Sequence, residues 1–163
     1  MSGFSIRPVQ PDDAASIAEI YAHHVLHGTA SFDTVPPDVQ FWIEKIAAIT
    51  GRGWPFLVAE HNGEVIGYAY AAQIRERPGY APCCEDSIYV REDSVGQRLL
   101  SELIQAARKV GFEQMVAVIG DSVPGSVALH ARLGFAEVGR LKDVGFKFGR
   151  YLDSVYMQRS LRD

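Results

Sequence analysis

Cysteine is almost missing from this chain: two residues among 163, and those two are neighbours, Cys83 and Cys84. Adjacent thiols build neither a disulfide scaffold nor a CxxC metal knuckle, so a reducing, cytoplasmic setting is expected. No apolar run approaches the roughly 20 residues that span a bilayer, so no membrane association is expected. The opening "MSGFSIRPVQPDD" lacks the basic-then-apolar pattern of a secretory leader. Positive charge is not in excess either. Sixteen Lys and Arg face twenty Asp and Glu, a net charge of -4, which argues against a nucleic-acid partner. With no repeat, linker or low-complexity tract, residues 1–163 read as one domain. A hydrophobic fraction of 47% is enough to bury a core without disulfides or metal.

Local patterns divide the chain into eleven elements. "FSIRPV" alternates like a strand and stops at Pro8. "PDDAASIAEIYAHHV" follows as a helix that Asp12 or Asp13 can cap, with Ile17, Ile20, Tyr21 and Val25 at helical spacing. "DTVPPDVQFWIEKIAAI" is a second helix with prolines at its start and Phe41, Trp42, Lys45 and Ile46 inside. In "PFLVAEHNGEVIGYAYAA" two β-rich runs flank His61-Asn62-Gly63, and Asn-Gly supplies the positive φ angles of a tight hairpin. "CCEDSIYV" is a strand. "VGQRLLSELIQAARKVGF" is an amphipathic helix with Leu99, Leu100, Leu103, Ile104 and Ala107 on one side, closed by Gly111. "QMVAVIG" reads as a central strand, and "GSVALHARLGF" as a short helix ended by Gly134. The strands "AEVGRLKDVGF" and "YLDSVYMQRSL" complete the order β-α-α-β-β-β-α-β-α-β-β. This predicts a mixed α/β (α+β) sandwich around one sheet of about seven strands, with helices on both faces.

Several side chains carry two readings each. Glu85 opens its strand as a solvated residue or as a half-buried carboxylate with raised pKa, fit to act as a base. His130 is a satisfied core histidine or a hydrogen-bond donor at a reacting centre. Arg75 and Arg77 are surface cations or a pair facing one anion, since alternation turns both the same way. His23, His24 and His27 lie on the first helix, but their spacing makes no convincing metal site, and no metal is expected.

The hairpin "VAEHNGEVIGYAY", the strand and helix "EDSIYV…VGQRLLSELI", the strand "QMVAVIG" and the helix "SVALHARLGF" together resemble the GCN5-related N-acetyltransferases. "TASFDTVPP", "IRERPGY", "VAVIGDS", "LHARLGF" and "VGFKFGRYLD" narrow the likeness to the branch acting on phosphinothricin and methionine sulfoximine or sulfone. These motifs span residues 29–153. The resemblance implies acetyl-CoA as co-substrate, a small amino-acid-like amine as acceptor, and a homodimer with Lys147 to Asp153 at its interface.

By the same resemblance Glu85 is the base that frees the amine lone pair. His130 stands where many relatives carry a tyrosine that protonates the leaving thiolate or steadies the oxyanion. Ile88, Tyr89 and Val90 would offer backbone groups to the pantetheine arm. Arg75, Arg77, Tyr80, Ser87 and Phe32, with Ser31, would shape the amine pocket. Val95, Gly96 and Ser126 would complete the cofactor grip.

Two departures fall on that grip. The Arg/Gln-x-x-Gly-x-Gly segment that holds the CoA pyrophosphate is reduced to Val95-Gly96, about four residues short after Ser94. Val123 stands where an asparagine is usual. Either the polypeptide lacks the stretch, or its written sequence closes over it. Three functional readings follow: an N-acetyltransferase for a small amine; an acetyltransferase for a protein N-terminus or polyamine; and a non-catalytic dimeric relative that has lost acetyl-CoA binding.

Overall fold

The computed structural model describes residues 3–162; the ends of the expected 1–163 domain, Met1, Ser2 and Asp163, lie outside the described residues. The chain runs β1 (Ser5–Pro8), α1 (Ala14–His27), α2 (Val39–Gly51), β2 (Phe56–His61), β3 (Glu64–Gln73), β4 (Cys83–Val90), α3 (Gly96–Lys109), β5 (Gln114–Gly120), α4 (Pro124–Arg132), β6 (Ala136–Lys147) and β7 (Arg150–Ser160). This is the order that the local patterns predict. One seven-stranded sheet has the order β1-β2-β3-β4-β5-β7-β6.

The local signals act as their chemistry requires, with two refinements. Asn62 and Gly63 adopt φ of 51° and 79° and close the β2–β3 hairpin. The Asp38 side chain accepts from the Phe41 N–H and caps α2. Asp13 does not cap α1. Its carboxylate turns back to the Gln10 N–H at 2.7 Å and to Arg7, because a short 3-10 turn over Pro11–Asp13 precedes the helix. At the other end Phe148 and Gly149, both at positive φ, join β6 to β7. "KFGR" is therefore a tight hairpin turn, and β7 is no edge strand: it lies between β5 and β6.

Two apolar layers enclose the sheet. On one face α3 packs Leu99, Leu100, Leu103 and Ala107 against Ala69, Met115 and Ala117. On the other, α1 and α2 bring Ile17, Ile20, Trp42 and Ile46 against Val58 and Tyr68. Each fully buried aliphatic side chain contributes about 1.5–3 kcal/mol by leaving water. The decisive irregularity lies between the two halves of the sheet. β4 and β5 are parallel neighbours, yet they pair only over Cys83–Glu85 and Gln114–Val116. Beyond Glu85 the strands splay, and a cavity occupies the gap.

Candidate active site

Strand register determines what faces that gap. In an antiparallel ladder successive residues turn their backbone N–H and C=O to opposite sides. The bonds Arg91 N–H to Ile66 O and Ile74 N–H to Cys83 O set the phase of β3 against β4. Tyr89, Ser87 and Glu85 thus spend their backbone groups on Tyr68, Tyr70 and Ala72. Ile88 and Val90 turn theirs to the open edge. Of the three residues expected to meet the pantetheine arm by their backbone, Tyr89 faces the wrong way for a simple periodic reason.

Across the gap, the bonds Leu161 N–H to Glu113 O and Asp121 N–H to Asp153 O set the phase of β5. They turn the backbone groups of Val118 and Gly120 to the gap. These two residues carry no local signal of their role. The Val90 carbonyl accepts from His24 Nε2 at 3.0 Å, so α1 reaches the edge of the gap.

Side chains alternate by the same rule. Glu85 and Ser87 face the α1–α2 side, Asp86 and Ile88 the α3–α4 side, and all four line the cavity with His130 and Ser126. Burial pushes the Glu85 carboxyl above the usual carboxylate range, and the neighbouring Asp86 adds to this. Arg75 and then Lys45 pull it partly back. The result is a half-buried carboxylate that holds a proton more readily than an exposed one.

His130 is 1% exposed. Its Nδ1 donates to the Ser126 carbonyl at 2.8 Å, and its Nε2 lies 2.9 Å from Asp86 Oδ2. With Nδ1 already a donor, Nε2 meets the Asp86 carboxylate best as a second N–H, an imidazolium–carboxylate pair. Burial alone would favour the neutral ring. The hydrogen bond and charge of Asp86, with the Ser126 carbonyl, outweigh it and raise the His130 pKa. Strand alternation turns Asp86 to the face opposite Glu85, where it is buried against His130 of α4. A buried carboxylate requires a partner, and that was the signal in the sequence for this pair.

Other expected residues are placed less directly. β3 ends at Gln73, and Ile74 to Arg77 form a bend. The Gln73 amide donates to the Arg75 and Arg77 carbonyls at 2.6 and 3.1 Å. A common direction for the two arginines therefore does not follow from strand alternation; of the two, Arg75 is the one that acts on Glu85. Tyr80 lies in a short 3-10 turn and is 45% exposed. Phe32 is wedged between strand ends: a Cβ on Gly120 would lie 2.7 Å from its ring, and one on Gly145 2.6 Å. Ser31 is buried beside it, its carbonyl accepting from Lys147 Nζ at 2.8 Å.

Val95 and Gly96 are not brought to the cavity. The chain crosses Asp93–Val95 as one 3-10 turn, in which the Val95 and Gly96 N–H groups bond inward to Glu92 O and Asp93 O. Val95 is core, and Gly96 packs on Leu129 of α4. Among the described residues no cluster of three His, Cys, Asp or Glu is arranged to hold a metal ion. Among the described residues no helix is long and apolar enough to cross a membrane.

Comparison with known proteins agrees with this architecture. Residues 6–156 match the family model described as an acetyltransferase (GNAT) domain. A phosphinothricin N-acetyltransferase of Alcaligenes faecalis is 46% identical, over 96% of this chain and 82% of that protein. An L-methionine sulfoximine/L-methionine sulfone acetyltransferase of Salmonella typhimurium is 40% identical, over 96% and 94%. A phosphinothricin acetyltransferase from Sinorhizobium meliloti, solved in complex with AcCoA, superposes with a TM-score of 0.93 at 44% identity, covering 96% of this chain and 88% of that one. With the splayed parallel strands, the open backbone edges and a family match over most of its length, this chain belongs to the GNAT acetyltransferase family.

Proposed function

We propose that this protein is an acetyl-CoA-dependent N-acetyltransferase for the α-amine of a small amino-acid-like substrate, with phosphinothricin, methionine sulfoximine and methionine sulfone as the acceptor class. The observation that carries the reading is Glu85: a desolvated carboxylate at the mouth of the β4–β5 gap, with cations nearby and open backbone edges beyond it.

The residues fit acetyl-CoA over its thioester and pantetheine length. Ile88 and the Val90 N–H on β4, with Val118 and Gly120 on β5, would hold the arm as an added strand, the Val90 carbonyl being taken by His24. Over the pyrophosphate the fit is poorer, since the short turn spends its amides internally. Bound there, acetyl-CoA supplies an activated acetyl group whose leaving group is a thiolate.

Glu85 takes the proton of the substrate ammonium and so exposes the nitrogen lone pair. A carboxyl with raised pKa holds that proton better than an ordinary one. Arg75, with Arg77 and Tyr80, meets the substrate carboxylate; Ser87, Phe32 and Ser31 wall the amine. His130, expected as a proton donor to the thiolate, has both ring N–H groups bonded to the Ser126 carbonyl and Asp86, so it serves instead as a fixed positive charge beside the cavity. After Glu85 has taken the first ammonium proton, nitrogen bonds to the acetyl carbon, the carbon–sulfur bond breaks, and the second nitrogen proton passes through water to the departing thiolate. Holding both partners in the gap supplies much of the rate by orientation.

The exposed apolar residues Val138, Leu141, Val144, Phe146, Phe148 and Tyr151 of the β6–β7 hairpin support a homodimer through this edge of the sheet. The two free cysteines suit a cytoplasmic site of action.

The short turn at Asp93–Val95 favours one second reading, a relative that no longer binds acetyl-CoA. Calorimetric titration with acetyl-CoA separates the two. Saturable micromolar binding followed by acetylation of methionine sulfone or phosphinothricin is expected; a folded protein that binds no acetyl-CoA sinks the enzyme reading.

A further inference from the structure

On the α1–α2 side of the gap one cation has no assigned work. Lys45 lies in the middle of α2, half-buried, its Nζ 5.3 Å from the ring centre of Tyr70 and 5.8 Å from that of Phe41. Tyr70 stands opposite Ser87 in the β3–β4 ladder, and Ser87 is the next side chain after Glu85 on that face. The Tyr70 ring therefore holds the ammonium over β3, one strand from β4 and on the face to which Glu85 points.

Lys45 makes no ion pair within 4.0 Å among the described residues. It nevertheless acts on Glu85 through space, as Arg75 does. A lysine kept for stability would close onto the nearest carboxylate. Here the cation and the base stay apart on one face of the sheet, and Arg75 approaches the same carboxylate from the bend after β3. Three charges of this arrangement, one negative and two positive, complement an amino acid whose ammonium is flanked by two anionic groups.

Resting on the acetyltransferase reading above, we infer that Lys45 is a specificity residue: it receives an anionic group at the far end of the substrate side chain, while Arg75 receives the α-carboxylate. The substrate class it favours is a dianionic amino acid, such as one with a phosphinate, over one whose side chain ends in a neutral sulfone. An ammonium between two aromatic faces suits this work, since the rings orient it without neutralising it.

The test compares the unmutated protein with Lys45→Met, which keeps the alkyl stem against Tyr70 and Phe41, and with Lys45→Arg, which keeps the charge. Steady-state kcat/KM is measured at saturating acetyl-CoA for phosphinothricin and for methionine sulfone. Lys45→Met is expected to lower the phosphinothricin to methionine sulfone ratio about tenfold, and Lys45→Arg to retain most of it. On methionine sulfone, Lys45→Met also shifts the acid limb of the pH profile upward, because Glu85 loses one of two cations.

A lysine that only staples α2 to β3 would lower the melting temperature and leave both ratio and pH limb in place; that result overturns the inference. So does an equal loss on both amines. An unmutated protein that acetylates neither amine defeats the functional reading itself, and the Lys45 assignment with it, before any variant is compared.

Discussion

His130 Nε2 lies 2.9 Å from Asp86 Oδ2, the two side chains 2% and 4% exposed, joining α4 to β4 across 44 residues of chain. Removing one member of a buried charged pair strands the other, at a cost of about 3–5 kcal/mol. Asp86→Ala is therefore expected to lower the denaturation midpoint substantially. Asp86→Asn, which keeps the shape but not the charge, should cost less stability and still lower kcat. The pair also has a pH signature. The folded-state pKa of His130 is raised, so its stabilisation is fully present below the ordinary imidazole pKa and is lost as pH climbs through the raised value. Urea melts of the unmutated protein should weaken over that window, and those of Asp86→Asn should be flatter.

Glu85→Gln removes the proposed base and keeps the shape of the side chain. A fall in kcat/KM of about 10²–10⁴-fold is expected, with acetyl-CoA affinity retained in calorimetry. Because burial raises the Glu85 pKa, the ionised carboxylate costs the folded state stability at neutral pH. The variant should melt at the same temperature or slightly higher. A matching pH–rate profile rises with pH as Glu85 loses its proton, at a pH above the ordinary carboxylate range. Full activity in Glu85→Gln would remove Glu85 from the mechanism.

Gly120 ends β5 where the backbone approaches Thr29 and Phe32 most closely. An alanine Cβ there would sit 2.6 Å from the Thr29 carbonyl oxygen and 2.7 Å from the Phe32 ring. Neither the backbone nor a ring already held at Gly145 moves away easily. Gly120→Ala is expected to destabilise by about 1–3 kcal/mol and to raise both KM values, since Phe32 walls the amine and the Gly120 backbone faces the pantetheine arm. Thermal melts and two-substrate kinetics check this.

The β6–β7 hairpin exposes Phe146 at 60% and Tyr151 at 67%. A charge on this surface opposes its burial against a second copy. Phe146→Asp is expected to shift a dimer towards monomer in light scattering, leaving the melting transition cooperative. A monomeric unmutated protein would reject the interface.

Much of this chain was legible without coordinates, for reasons found in particular residues. Asn62-Gly63 specifies its turn because both residues accept positive φ. The leucines of α3 recur at helical spacing because one face of that helix is core. Glu85, near the start of an apolar strand, carries two readings by itself, and the resemblance to the acetyltransferases is what favours the base. Tyr89 was read as a cofactor contact because strand position says little about which edge a backbone amide faces. Phase comes from the partner strand. Arg75 and Arg77 were read as a strand pair because nothing local announced that β3 stops at Gln73.

The sequence by itself determined the order of elements, the hairpins, the two core layers and the strand that carries Glu85. Those follow from interactions between near neighbours: turn geometry, helical and strand periodicity, and the drive to bury one face of each element. Only the tertiary structure decided where β4 and β5 part, which backbone groups that leaves open, that Asp86 meets His130, and that Lys45 stands near Glu85 without closing on it. These are distances between residues far apart in the chain, set by how whole elements pack.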